Sequence, residues 1–187
     1  MLYSPAMARA GQVIRNPATG ETLTFVVTSA DSGGNLLRVD VTADPHKKGP
    51  PLHVHRAFVE RYHLEAGRLR ITLRGEEHVL EAPGRLEIPR GAPHTFRVDG
   101  DEPARMVVDF EPAGTYEYFL ETMYGLAVEG KTDEQGAPNL LQTAVVARRH
   151  LDDFALAKPP YAVQRVLFTV LAPIGRLAGY RTRSEPR

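Results

Sequence analysis

The stretch HVHRAFVERYHLEAG, residues 53–67, holds three of the seven histidines of this chain within eleven residues. Successive side chains of a strand point to opposite faces, so His53 and His55 share one face of an extended segment. Glu60 follows five residues later, across a turn, at the start of the next predicted strand. Two imidazoles and a carboxylate directed at one point indicate half of a metal site, whereas an exposed His-rich strand is the alternative interpretation.

The stretch GRLEIPRGAPHTFRV, residues 84–98, supplies the second half of this pattern. A strand, a tight turn with proline and glycine, and His94 at the head of another strand follow one another. Two histidines, a glutamate and this remote histidine form a mixed nitrogen and oxygen set, which suits a divalent Fe, Ni, Mn, Co, Cu or Zn ion. Such a set leaves positions open for water or substrate. Without a metal, a buried glutamate would stand unpaired beside three histidines, which is costly.

The first part of the chain, residues 11–110, has the texture of a β domain. Short alternating segments are separated by turns such as DSGGN, residues 31–35, which is typical of an antiparallel sandwich or barrel. The strands are predicted over 21–29, 36–43, 52–57, 60–66, 68–74, 76–81, 84–88, 94–98 and 104–110. We therefore predict a β-barrel domain over residues 11–113.

The second part, residues 114–187, is predicted to be a helical extension packed on the barrel. Apolar residues recur there at a spacing of three to four, which is the period of an amphipathic helix. Helices are predicted over 115–130, 137–150 and 159–173. The apolar face of YAVQRVLFTVLAP, residues 161–173, needs covering, so we expect a lid or a homodimer interface there.

The two histidine blocks resemble the paired motifs of the cupin superfamily. The first motif, His-x-His followed by Glu and Gly, is matched by His53, His55, Glu60 and Gly67. The second motif, Gly, Pro-x-Gly and His, is matched by Gly84, Pro89, Gly91 and His94. The resemblance covers about residues 35–110 and implies a mainly β fold, an antiparallel jelly-roll barrel. It also implies that one divalent transition metal is bound by His53, His55, Glu60 and His94.

Alternation along the strands predicts which further side chains face the metal. The predicted set is Tyr62, Phe96, Met106 and Val108. These side chains either line a substrate pocket or fill the core, and the sequence leaves both interpretations open. His63 falls on the opposite face of its strand, so it is not expected to be a ligand.

Three classes of function remain open for a fold that hosts many chemistries. The chain is similar to small one-barrel flavonol (quercetin) 2,4-dioxygenases, which implies that Glu60 is both a metal ligand and the base for an enolisable aromatic substrate. A metal-assisted isomerase, cyclase or lyase would use no oxygen. A cupin that only binds a small molecule would have no catalytic activity. We favour the dioxygenase.

Composition limits the partners and the location. Lysine plus arginine and aspartate plus glutamate number 23 each, without a basic patch, so no nucleic acid partner is expected. The absence of cysteine excludes disulfides and thiolate metal sites. The start, MLYSPAMARAGQV, lacks the apolar core of a signal peptide, and the run VLFTVLAPI, residues 166–174, is too short to span a bilayer. We therefore expect a cytoplasmic protein with a small-molecule substrate and no membrane partner.

Overall fold

The computed structural model describes residues 8–182. Residues 1–7, which carry much of the segment used to argue against a signal peptide, and residues 183–187, the end of the predicted extension, lie outside this range. Within it the chain forms eleven strands: β1 Val13–Asn16, β2 Glu21–Val27, β3 Leu37–Ala43, β4 His53–Val54, β5 Val59–Ala66, β6 Arg68–Leu73, β7 Glu76–Glu81, β8 Gly84–Ile88, β9 His94–Val98, β10 Ala104–Glu111 and β11 Ala155–Leu156. It also forms three helices: α1 Tyr116–Val128, α2 Leu140–His150 and α3 Tyr161–Leu177.

The strands form two antiparallel sheets that share one core. One sheet has the order β1-β2-β3-β10-β5-β8 and the other β11-β4-β9-β6-β7. Side chains from both, such as Met106 and Ile71, belong to one buried cluster. The predicted jelly-roll fold is confirmed. The two sheets are not joined edge to edge among the described strands, so the barrel is an open sandwich rather than a closed ring.

Strand alternation creates the inner face that holds the site. On β5 the buried residues are Glu60, Tyr62 and Leu64, and the residues between them are more exposed. On the adjacent β10, Val108 lies opposite Tyr62 and Met106 opposite Leu64. The period of two therefore carries an acidic group and a tyrosine into an otherwise apolar interior.

The extension does more than pack on the β domain, because it adds a strand to it. The short β11 pairs with β4, with Ala155 opposite Val54 and Leu156 opposite His53. Neither this strand nor β1 is predicted from the sequence. The three predicted helices are present, although α3 continues past Pro173. The boundary at residue 113 between domain and extension remains a prediction.

The last helix, α3, is apolar on two opposite sides. Phe168 and Ala172 are buried. The exposed apolar stripe consists of Val163, Val166, Val170, Ile174 and Leu177. Among residues 8–182, no helix combines the length and the apolar character needed to cross a membrane.

Candidate metal centre

The four predicted ligands come together from three strands and a turn. His53 on β4 lies directly opposite His94 on β9 in the antiparallel register. β4 is shorter than predicted and ends at Val54, so His55 belongs to the turn that follows, yet it is only 2% exposed. Glu60 is the second residue of β5. All four side chains are buried.

The distances within this cluster are those of side chains sharing one small volume. One ligand atom from each of the four residues lies within 4.8 Å of the others. The Nε2 atoms of His53 and His55 are 3.1 Å apart. Glu60 Oε2 lies 2.9 Å from His94 Nε2 and 3.3 Å from His55 Nε2. Both Glu60 Oε2 and His94 Nε2 are buried without a contact of hydrogen-bond geometry.

Backbone carbonyls determine which nitrogen of each imidazole faces the centre. His53 Nδ1 lies 2.8 Å from the carbonyl oxygen of Pro51, and His94 Nδ1 lies 3.0 Å from that of Ala92. His55 Nδ1 makes a short hydrogen bond with the carbonyl oxygen of Asp153. A carbonyl oxygen only accepts, so each Nδ1 carries the proton and donates it. When a ring carries its single proton on Nδ1, its Nε2 directs a lone pair at the centre of the cluster, which is the form that binds a metal.

The arrangement of lone pairs in this cluster fits a bound cation. Three imidazole nitrogens and a carboxylate oxygen at these distances repel one another unless a positive charge lies between them. A divalent ion provides that charge and also satisfies the buried atoms that lack hydrogen-bond partners. The cluster thus fits the metal site of a three-histidine, one-glutamate centre, and its donor set is compatible with several transition metals.

The protonation states also suit a metal site. Without a metal, burial would raise the pKa of Glu60, but hydrogen bonds from His55 and His94, in the forms that carry a proton on Nε2, outweigh it and hold that pKa well below its usual value. Burial, followed by the charges of His94 and His55, lowers the pKa of His53 well below its usual value. At neutral pH Glu60 is therefore ionised and His53 neutral, which are the forms that bind a metal.

Two glycines of the motif region hold the backbone around the ligands. Gly91 has a φ of +72°, and its N–H donates to the carbonyl oxygen of His55 at 2.7 Å. Gly49 has a φ of +67°, and a Cβ there would lie 2.1 Å from the carbonyl oxygen of Phe96. Only glycine allows this close approach without moving the backbone. The turn before His53 can therefore sit directly against β9.

The extension supports two of the histidines, which the sequence did not indicate. Phe154 stacks on the ring of His53, with centroids 4.3 Å apart and an interplanar angle of 15°. The carbonyl oxygen of Asp153 accepts a hydrogen bond from His55 Nδ1. The carboxylate of Asp153 accepts one from Thr115 Oγ1 at 2.7 Å. The contacts with His53 and His55 join segments about a hundred residues apart, and no local pattern in the sequence marks such a pairing.

We expect Asp153→Ala to weaken metal binding by about tenfold, the lower end of the usual effect of an outer-shell partner. Removing the carboxylate frees the turn whose carbonyl oxygen orients His55. The measurement is a metal competition titration against a chelator. The matched control is Asp152→Ala, because that neighbouring side chain lies on the surface beside Arg56 and Tyr161. Equal affinity in both variants would show that the turn holds its place without Asp153.

A cavity of about 470 Å³ opens beside the predicted metal centre. His53 and Glu60 line it, whereas His55 and His94 do not. Its lining includes all four predicted pocket residues: Tyr62, Phe96, Met106 and Val108. These four side chains are buried and also border the cavity, so they belong to the hydrophobic core and line the pocket. The volume lies in the range of small-molecule sites.

The helices of the extension complete the cavity wall. The lining residues from the helices include Tyr116, Leu120, Met123 and Tyr124 of α1, Val146 of α2 and Phe168 of α3. The sequence predicted these apolar faces but not what they cover, because periodicity identifies a buried face without its partner. One side of α3 therefore lines the cavity, while its opposite stripe remains exposed.

A second carboxylate, that of Glu21, borders the same cavity. Burial raises its pKa from 4.5 to about 7, and the charge of Glu60 adds to this, whereas hydrogen bonds with Thr19 and Tyr124 oppose it. Between about pH 4.5 and pH 7, Glu21 is therefore protonated in the folded protein and ionised in the unfolded chain. Its contribution to stability is present below pH 4.5 and is lost as the pH rises to about 7.

We expect Glu21→Gln to stabilise the fold at pH 8 relative to wild type, by about 1–3 kcal/mol. The gain should disappear towards pH 4.5, where the wild-type carboxyl is neutral. Denaturant unfolding of both proteins across this range measures the difference. A gain that is the same at every pH would show that the charge of Glu21 is not its cause.

Comparisons with known proteins agree with this architecture. Residues 39–110 match the family profile described as "Cupin domain". Quercetin 2,3-dioxygenase of Bacillus subtilis is 30% identical over 94 residues, which cover 50% of this chain and 28% of that protein. The probable oxidoreductase virH of Hypocrea virens is 29% identical over 146 residues, covering 71% of this chain and 65% of that protein. The chain spans less than two thirds of the length of the curated relatives it matches.

One of the solved structures to which this chain is similar is that of a predicted oxalate decarboxylase from Thermotoga maritima. It is 15% identical to this chain and superposes with a TM-score of 0.49. The match covers 57% of this chain and 99% of the other.

Proposed function

Residues 39–110 match the cupin domain profile, and we propose that the protein is a metal-dependent dioxygenase acting on a small, enolisable, flavonol-like aromatic substrate. The observation that carries the proposal is the position of Glu60, which belongs to the predicted ligand set and also faces a largely apolar cavity. The similarity to a quercetin dioxygenase and to a probable oxidoreductase supports the choice of reaction class.

Glu60 is suited to take a proton from a bound enol. The adjacent imidazoles hold its pKa low, so the carboxylate is ionised and able to accept a proton, but it is a weak base. A bound divalent ion would supply Lewis acidity towards the enol and a route for electrons to oxygen. A carboxylate within hydrogen-bond reach of the enol then completes the proton transfer.

The surrounding side chains position the substrate and exclude water. Burial, followed by the charge of Glu60, raises the pKa of Tyr62 well above its usual value, so this hydroxyl remains a hydrogen-bond donor. Phe96, Met106 and Val108 provide apolar walls against which a planar aromatic ring can pack. Such a wall protects an enolate from protonation by solvent.

Oxygen consumption with a panel of flavonols tests the proposed reaction. Protein loaded in turn with each candidate metal should take up oxygen only when the enol is present. Product formed under argon would favour the isomerase, cyclase or lyase class instead. Binding without turnover in either atmosphere would favour a small-molecule-binding cupin.

We also propose that the chain forms a homodimer through the exposed stripe of α3. Its five aliphatic side chains are between 50% and 90% exposed, and contiguous apolar surface of this kind usually marks an interface. We expect light scattering at micromolar concentration to give twice the chain mass. Val166→Glu combined with Val170→Glu should give the monomer, because the charges would be buried in the interface. A wild-type mass near one chain would contradict the dimer.

A further inference from the structure

Glu21 has no role in the predicted metal centre or in the proposed proton transfer. It lies on β2, which β3 and β10 separate from the strand that carries Glu60. Its neighbours on the same face, Leu23 and Phe25, are fully buried core residues. Glu21 itself is only half-buried, because its side chain borders the cavity.

The partners of Glu21 are hydroxyl groups. Thr19 Oγ1 donates to Glu21 Oε2 at 2.5 Å. Tyr124, on α1, lies near Glu21, and its hydroxyl group lowers the pKa of that carboxyl. Among the described residues that line the cavity there is no lysine or arginine. The carboxylate is therefore held by neutral donors alone.

A carboxylate in this setting retains capacity for another donor. Its two oxygens offer about four lone-pair positions, and two hydroxyl donors use only part of them. Burial without a cation keeps the negative charge costly, which its pKa of about 7 reflects. A further hydroxyl donor from a ligand would lower that cost, whereas a ligand carboxylate would raise it through repulsion.

We propose that Glu21, Thr19 and Tyr124 form a polar anchor within the cavity that binds the hydroxyl group of an uncharged, hydroxylated aromatic ligand. The anchor makes the cavity selective for phenols over unsubstituted aromatics and over aromatic carboxylates. Assigning this hydroxyl to the substrate rests on the proposed function, but the binding preference itself does not.

Binding of 2-naphthol and naphthalene to the metal-loaded protein at pH 8 tests the anchor. The compounds differ by one hydroxyl, and neither offers the chelating enol of a flavonol, so failure of the oxygenase assay would leave this test intact. The protein has no tryptophan, so ligand fluorescence reports binding directly. We expect 2-naphthol to bind about tenfold more tightly, the usual gain from a hydrogen bond to a charged group. We expect 2-naphthoate to bind more weakly than either.

Variants assign the preference to the anchor. Glu21→Leu should reduce the preference for 2-naphthol to within about twofold, because an apolar side chain of similar size removes the acceptor. Tyr124→Phe removes one hydroxyl of the anchor and provides a second variant. In the same assay it should also change the preference for 2-naphthol over naphthalene. Glu76→Gln, an exposed glutamate of β7, is the matched control and should retain it. An unchanged preference in both anchor variants, equal binding of the two compounds to wild type, or no binding of either would overturn the proposal.

Discussion

Glu60→Gln is expected to retain bound metal and to lose turnover by about 10²–10⁴-fold, the usual contribution of a general base. The amide oxygen still coordinates a divalent ion, so the centre remains assembled. The amide cannot accept a proton from a bound enol, so the chemical step slows. Metal content and steady-state oxygen uptake, measured on the same preparation, separate these two effects.

The matched control for this variant is Glu65→Gln on the same strand. Glu65 points outwards and pairs with Arg105 at 2.9 Å, so its loss should change neither metal content nor turnover. A metal-loaded Glu60→Gln variant that turns over at the wild-type rate would show that Glu60 is a ligand and not the base. If Glu60→Gln lost its metal, metal binding would be the larger of the two roles of Glu60.

His94→Ala is expected to reduce metal content to below about a tenth of wild type. His94 is fully buried and supplies the nitrogen from β9, opposite His53. Its removal leaves three of the four predicted ligands and opens the position opposite His53, so the ion is bound more weakly and is lost during purification. The control is His63→Ala, because His63 faces outwards and lies 3.3 Å from Asp109. Retention of a full complement of metal by His94→Ala would contradict the assigned ligand set.

The sequence predicted the positions of the candidate ligands because local rules determine them. A period of two carries His53, Glu60 and Tyr62 to the inner face whatever else the chain does. The turn chemistry around Gly91 predicts where the next strand begins, and therefore where His94 lies. Such features need only neighbouring residues, so the pattern of one chain is sufficient.

The parts that sequence reasoning missed depend on partners far away in the chain. β11 has two residues, Ala155 and Leu156, and so has no periodicity to recognise. Phe154 reaches His53 only because α2 returns the chain to the edge of β4. Glu21 did offer a signal, since it precedes Leu23 and Phe25 on an inward face, where a carboxylate is unusual. Its partner Tyr124 could be identified only from the packing of α1.

We predict that four buried side chains, those of His53, His55, Glu60 and His94, hold one divalent transition metal beside an apolar cavity. Elemental analysis of the purified protein, before and after loading with each candidate metal, tests it most directly. We predict about one transition metal ion per chain in wild type and in the outward-facing His63→Ala control, and near-complete loss in His94→Ala. Well-folded wild-type protein that binds no transition metal under any loading condition would contradict the claim.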